Sequence, residues 1–410
     1  MGEVVTIDRL QPATAEELAA SIAAGEGSFE ILGHGSKRGF GRPGHGLRPI
    51  DLSRFSGIAL YEPEELVLTA RAGTPISEIE SVLASAGQML AFEPPDLGPL
   101  YGRPAGQGTI AGMLACNLAG PRRVKAGAAR DYFLGATAVN GRGEIFKTGG
   151  RVVKNVTGYD LCKLFAGSFG TLAVLSEATI KVQPRPEATL SLAIRGLDDA
   201  SAVVAMSKAL GSPQEVAAAA HLPREIVRRT PANAADAALT LLRLEGTAAS
   251  LGGRLTALAR ELEVPAEELG MEDSLALWRA LRDVAPFQAD QDSLVWRLSV
   301  PPTAGATVVA ALAHELGGGG RHFYDWGGGL IWLALSGDAD VDAAQQAAGV
   351  RAAITALGGH ATLIRAPAQV RESVDVFQPQ DAALAALTRR VKLSFDPLGR
   401  LNPGRMYREI

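Results

Sequence analysis

An α+β fold organised as two sheet-containing units is predicted for this chain, and three observations predict it. First, its 410 residues, 47% apolar and 20% charged, are enough for two or three globular domains with substantial cores. Second, 27 of its 47 glycines fall in the first 185 residues. The backbone there either turns often, as in a turn-rich α+β domain, or runs close to a ligand. Third, "QPRPEA" (183–188) places two prolines within three residues and reads as a boundary. Beyond it the composition shifts to Ala and Leu, and strand-like segments alternate with helical ones, implying a second α/β layer packed as one unit.

The elements follow in order. "TAEELAASIAAG" predicts a helix, with Thr14 as cap, Glu17 three residues on and Gly25 as stop. "SFEIL" is a short strand that runs into the glycine loop "GHGSKRGFGRPGHG". "IALYEPEELVLTARAG" holds two strands around an EPEE turn. "TPISEIESVLASAG" is a helix with Thr74 as cap, Pro75 at its first position and Gly87 at its end. "YFLGATAVNGRGEIF" predicts a hairpin turning at Asn140-Gly141, and "GTLAVLSEATIKVQP" a strand or strand pair. In the second half, "DDASAVVAMSKAL" and "EDSLALWRALRDV" are amphipathic helices. "AALTLLRLEG", "SLVWRLSVP" and "LIWLALSG" are strands, and "GGGGRHFYDWGGG" reads as a turn between strands. The tail predicts a helix followed by an ordered loop. No internal repeat is visible.

Several function classes are disfavoured. A formal net charge of -4 gives no global pull towards nucleic acid or an anionic membrane. Cys116 and Cys162 are the only cysteines and form no CxxC pair, so an iron–sulfur cluster or structural zinc held by this chain alone is not expected. No apolar run reaches the length of a spanning helix, and the acidic N-terminus lacks a signal core, so the cytoplasm is the expected location. The six histidines show no HxH or HxxxH spacing, no GxSxG elbow occurs, and no Gly-Lys-Ser/Thr phosphate loop is present.

Two segments carry the candidate chemistry. The loop Gly33-His34-Gly35-Ser36 opens directly from a strand, and its successive N–H groups could form an anion-binding nest. "TIAGMLACNLAGPRR" (109–123) offers Thr109 and Gly112 on one side of a first helical turn. That arrangement suits either a pyrophosphate or flat ring against bare backbone, or simply a tightly packed buried helix. Arg103, Arg122, Arg123, Lys125 and Arg130 flank this segment, either as a solvated face or as a pocket for a carboxylate or phosphate.

Together "ILGHGSK", "VLTARAGTPISEIESVLASAGQMLAFEPPD", "TIAGMLACNLAGPRR", "RDYFLGATAVNGRGEIFKTGGRVVKNVTGYDLCKLFAGSFGTLAVLSEATIKVQPRP" and "DPLGRLNPGRMY" resemble an FAD-binding domain of the p-cresol methylhydroxylase (PCMH) / vanillyl-alcohol oxidase type. More narrowly they resemble the FAD-binding E subunits of bacterial glycolate oxidase. The resemblance is strong over about residues 28–187 and weaker beyond. It implies a two-subdomain FAD-binding domain (1–187), a cap domain on an antiparallel sheet (188–380) and a C-terminal segment returning to the FAD domain (381–410). At matching positions it implies that Gly33, His34, Gly35 and Ser36 hold the pyrophosphate and that Pro94 and Pro95 lie by the flavin. Thr109, Ile110, Gly112 and Gly120 would line pyrophosphate and ring, Gly170, Leu172 and Val174 would border the cofactor, and Asn402 would bring the tail towards the ring.

The departures are equally informative. The family's loop usually begins with arginine, whereas Leu32 stands here, leaving Lys37 and Arg38 as candidates to supply the missing charge. Relatives with covalent flavin carry a histidine where this chain has Ser36, so FAD is expected to be non-covalent. The motifs "GDGNLH" and "EHGIG", which supply a base and metal ligands in D-lactate and glycolate oxidising relatives, are absent. Oxidation of a 2-hydroxy acid needs a base within reach of its hydroxyl or Cα proton, and the candidates are Glu93 or Asp96, with Arg122 or Arg123 to clamp a carboxylate. The resemblance therefore implies a redox subunit of a glycolate oxidase complex, partnered by a catalytic flavoprotein subunit and an iron–sulfur subunit. Peripheral contact with the inner membrane through that complex is compatible with the cytoplasmic location. The alternatives are a self-sufficient FAD dehydrogenase of a small D-2-hydroxy acid such as glycolate or D-lactate, and a structural subunit without cofactor.

Overall fold

The structure is a computed structural model describing residues 9–151, 158–232, 236–318, 320–337 and 342–410. Residues 152–157 of the quoted "GGRVVKNVTGYD" stretch, Gly319 and the first eight residues lie outside the described residues.

The first half starts from a two-stranded parallel pair, Phe29–Leu32 with Arg48–Asp51. A five-stranded antiparallel sheet follows, ordered Ile58–Glu62, Val67–Arg71, Ala173–Lys181, Phe133–Asn140, Ile145–Gly149. The helix Ala15–Ala24 forms as expected, and the Thr14 hydroxyl accepts the Glu17 N–H at 3.2 Å. The helix Ile76–Ser85 also forms, but Thr74 does not cap it. Its hydroxyl is committed to the Gly57 and Arg71 backbone, and Pro75 occupies the cap position. The hairpin between Phe133–Asn140 and Ile145–Gly149 turns through four residues, not on Asn140-Gly141 alone. The Asn140 carboxamide accepts the Arg142 and Glu144 N–H groups, and the left-handed position is Gly143, φ +78°.

The second half is built on an eight-stranded sheet, every pairing antiparallel: Glu267–Leu269, Ala188–Arg195, Leu239–Gly246, Ala218–Leu222, Arg321–Asp325, Leu330–Leu335, Leu294–Ser299, His360–Arg365. The segment "RHFYD", expected as a turn, is thus a central strand. Its glycine flanks masked an alternation in which Phe323 and Tyr324 face opposite cores. That alternation explains why these strands are apolar throughout. Leu241, Val295 and Phe323 point to the core shared with the first half, while Leu242, Trp296 and Tyr324 point to a second core. Helices such as Asp199–Leu210 and Ala248–Leu262 cover that second core. The proline-containing boundary is not a loose tether: Gln183–Pro184 pairs with Gln88–Met89, and the Arg185 N–H bonds the Gly87 carbonyl.

The seam between the halves carries buried charge. Glu93, at φ +46°, receives both terminal nitrogens of Arg243, at 3.0 and 2.6 Å, and Arg243 is 1% exposed. Arg122 pairs with Glu245 at 3.0 Å. Asp325 lies beside them, and burial pushes its carboxyl up to about 7. A raised carboxyl destabilises the fold as it ionises, so its contribution is favourable at acid pH and is lost between about pH 4 and 7. Asp325→Asn is expected to flatten that decline by a few kcal/mol at most, read as urea midpoints across pH 4–8.

Candidate cofactor site

The loop 33–38 leaves the first strand and folds over a cleft in the first half. Two adjoining cavities follow this cleft. One is lined by Gly33, His34, Gly35, Ser36, Lys37, Cys116 and Arg405, the other by Ala72, Ala111, Gly170, Val174 and Leu175. Ile31, Leu32, Gly33, Thr109, Gly112, Phe169 and Asn402 border both. The two glycine segments thus meet across one space although more than 70 residues separate them.

Bare backbone is required where they meet. A Cβ on Gly33 would stand 2.6 Å from the Thr109 hydroxyl oxygen, itself 3.3 Å from the Gly112 N–H it caps. Gly35 sits at φ +75°, and the N–H groups of His34, Gly35, Ser36 and Lys37 have no protein acceptor among the described residues. Successive free N–H groups around a left-handed glycine form a concavity suited to phosphate oxygens. Of the two candidate cations, Arg38 is exposed and spent on Glu30, at 3.1 and 2.5 Å. Lys37 turns inward, and its one hydrogen bond is to the Ser36 hydroxyl at 3.3 Å. Burial lowers the Lys37 ammonium below the usual lysine value, with Cys116 and Asp96 pulling partly back. A half-buried cation without a paired carboxylate fits an anionic group in the cleft.

Asn402 closes one end. At φ +43° it accepts the Ile31 N–H at 2.9 Å and donates to the Phe169 carbonyl at 2.8 Å. Each end of its amide makes one bond to the protein, which fixes the side chain as part of the cleft wall. Phe169, also left-handed at φ +54°, packs edge-on against Phe40 and Phe377 and holds the loop that carries Gly170. Sequence reasoning passed over Phe169 and Arg405. A phenylalanine at positive φ has no pattern signal, and Arg405 arrives from the far end of the chain.

Other predicted residues lie elsewhere. Ile110 and Leu172 point into the core, and Pro94 and Pro95 border neither cavity. Gly120 packs against the Glu93 carbonyl and gives its own carbonyl to the Trp326 indole at 3.0 Å. Arg122 is held by Glu245 at the seam, and Arg123 lies 4.7 Å over the Trp326 ring. Glu93 is held by Arg243; burial alone would raise its carboxyl, but that guanidinium keeps it below the usual range. The Asp96 carboxylate accepts the Gly98 and Gly106 N–H groups. Lys125 and Arg130 are likewise bound to separate partners, so the basic cluster does not converge. Cys116 does reach the cleft, and burial raises its thiol.

This geometry meets its match in known proteins. Residues 9–149 match the FAD binding domain family. Over 381 residues, 93% of both chains, the protein is 37% identical to glycolate oxidase subunit GlcE of Escherichia coli (strain K12). The chain belongs to the GlcE family. A D-lactate dehydrogenase of Anaerostipes hadrus is 35% identical, but over 38% of this chain and 31% of that enzyme. The solved 4-ethylphenol oxidase of Gulosibacter chungangensis superposes with a TM-score of 0.72 over 97% of this chain and 88% of its own, at 15% identity, and so shares the fold. The expected family and PCMH-type fold are thereby confirmed, and this GlcE-family chain is an FAD-dependent oxidoreductase. The bare backbone, free N–H groups and inward Lys37 of the cleft fit FAD, which when bound supplies two-electron and one-electron transfer. No described helix is long and apolar enough to cross a membrane.

Proposed function

We propose that this chain is the FAD-binding redox subunit of a glycolate oxidase complex, converting a 2-hydroxy acid to a 2-oxo acid with a catalytic flavoprotein subunit and an iron–sulfur subunit. The observation that carries the reading is the near end-to-end likeness to GlcE. The cleft supports it. In this reading Gly33–Ser36 and Lys37 hold the pyrophosphate of a non-covalent FAD, Thr109 and Gly112 admit it against bare backbone, and Asn402 anchors the returning tail. Residues 1–187 form the FAD-binding unit, 188–380 the cap and 381–410 the closing segment. The complex lies in the cytoplasm and meets the inner membrane peripherally. Glu93 and Asp96, the two carboxylates offered as bases, are both engaged by other groups. Substrate oxidation therefore falls to a partner subunit, and this chain relays electrons.

One observation favours a second reading, a self-sufficient dehydrogenase of a small D-2-hydroxy acid: an arginine-lined cavity adjoins the cofactor cleft. Anaerobic mixing of the purified, FAD-saturated chain with glycolate or D-lactate separates the two. An unchanged flavin band supports the relay; bleaching supports the self-sufficient enzyme.

A further inference from the structure

Two guanidinium groups at the seam lack a counter-charge. Arg123 belongs to the short helix Arg123–Ala126 of the first half, and Arg297 to the strand Leu294–Ser299 of the second. Both lie against the Trp326 indole, 4.7 and 5.0 Å from its ring centre, so no more than the sum of those distances separates them. Each is half-buried, and neither side chain makes a hydrogen bond or ion pair among the described residues. Their neighbours at the seam are paired: Arg122 with Glu245, Arg243 with Glu93, Arg282 with Asp283. Asp131 faces Arg123 and Asp325 faces Arg297, but both carboxylates are turned to backbone. Asp131 accepts the Ala128 N–H at 2.8 Å, and Asp325 the Trp326 N–H at 2.7 Å. An indole face attracts a guanidinium without cancelling its charge. Burial and the facing Arg123 accordingly push Arg297 down to about 10.

The wall behind these arginines is rigid. Trp326 is 7% exposed, and its indole N–H donates across the seam to the Gly120 carbonyl at 3.0 Å. Its backbone is left-handed at φ +52°, and Gly327 and Gly328 continue so at +66° and +98°. A Cβ on Gly328 would stand 2.7 Å from the Pro302 carbonyl oxygen, so the turn cannot relax there. A bulky residue at positive φ is strained, and such strain persists only where the surroundings fix it. His360, at the start of the strand His360–Arg365, is exposed and opens the cluster to solvent. Burial, then Arg297 and Arg123, lower its imidazole, which places it beside both guanidinium groups. Arg123, Arg297, Trp326 and His360 border neither cavity of the cofactor cleft.

We propose that Arg123 and Arg297 together bind a small dianionic oxyanion of the phosphate type at the seam, with Trp326 as its wall and His360 at its mouth. Two planar forks supply charge-assisted donors to several oxygens at once, and a dianion balances both cations and relieves their mutual repulsion. Because one arginine comes from each half of the chain, the bound anion acts as a clamp between the halves. The site is separate from the cofactor cleft and does not depend on what the cleft holds.

Calorimetric titration of inorganic phosphate into the full chain, with and without excess FAD and at constant ionic strength, tests it. The expected result is saturable one-site binding that persists with FAD present. It should weaken at least about tenfold in Arg297→Gln and in Arg123→Gln. The thermal midpoint of the unsubstituted chain should rise with phosphate, as for any ligand of the folded state, while the midpoints of both variants stay flat. Neither side chain has a polar partner to lose, and should one variant not fold, the other decides alone. Absence of saturable heat, or unaltered phosphate affinity in the folded variants, overturns the proposal. Binding abolished by FAD overturns it too, because the phosphate would then occupy the nucleotide loop. So does saturable binding of glycolate with phosphate inert, since the arginines would then serve a substrate.

Discussion

Replacing Lys392 by Met is expected to destabilise the protein by about 3–5 kcal/mol, the usual cost of leaving one member of a buried pair uncompensated. Lys392 is 4% exposed and Asp396 is wholly buried. The ammonium donates to Asp396 at 2.6 Å, to the Thr171 carbonyl at 2.6 Å and to the Leu401 carbonyl at 2.9 Å, using all three protons. Asp396 in turn accepts the Arg400 and Leu401 N–H groups. This knot fixes the tail immediately before Asn402, so its loss should loosen the cleft wall as well as the fold. Thermal unfolding with and without FAD measures both effects. For a chain of this size each kcal/mol corresponds to roughly 2–4 °C or less. Converting Asp396 to Leu in the Lys392→Met background should recover part of the loss, since an apolar pair leaves no buried charge.

The second large effect is expected at Gly33. Valine there would place its Cβ 2.6 Å from the Thr109 hydroxyl and 2.9 Å from its methyl, before its own methyls are counted. Thr109 is 3% exposed and caps a helix, so it has little room to retreat. Overpacking of about 1–3 kcal/mol at the cleft floor corresponds to a loss of FAD affinity of roughly 5- to 150-fold. Flavin fluorescence titration reads it directly, with circular dichroism confirming that the fold persists. Unchanged FAD affinity in the folded variant would show that the cofactor does not lie across these two glycine segments.

Much of the fold was legible because its signals are local. The capped helix Ala15–Ala24 and the strands Val67–Arg71 and Leu239–Gly246 follow from spacing and cap chemistry within a dozen residues. The central strand Arg321–Asp325 was not legible: it is five residues long, and the glycines on either side give the stronger local signal. Thr74 and Asn140-Gly141 show the same limit from the other side. Each has the residue types of a cap or a tight turn, but Thr74 spends its hydroxyl on the Gly57 and Arg71 backbone, and Asn140 organises a wider loop.

The candidate site divides along similar lines. That Gly33, Gly35, Thr109 and Gly112 line one cleft has a local trace, because bare backbone next to a strand or helix start shows in the sequence. Glu93, Arg122 and Arg123 are engaged by Arg243, Glu245 and Trp326, which come from the other half of the chain and leave no local trace in the sequence. No spacing rule reports which of several arginines turns inward. The same reason hid Arg405, which reaches the cleft from the far end of the chain.

The central claim is that this chain holds FAD non-covalently in the cleft between Gly33–Lys37 and Thr109–Gly112. Acid precipitation of the purified, FAD-saturated chain tests it most directly. The expected result is a colourless pellet with the flavin, one equivalent per chain, in the supernatant. A yellow pellet would contradict the non-covalent site, and a chain that takes up no FAD would contradict the cofactor cleft itself.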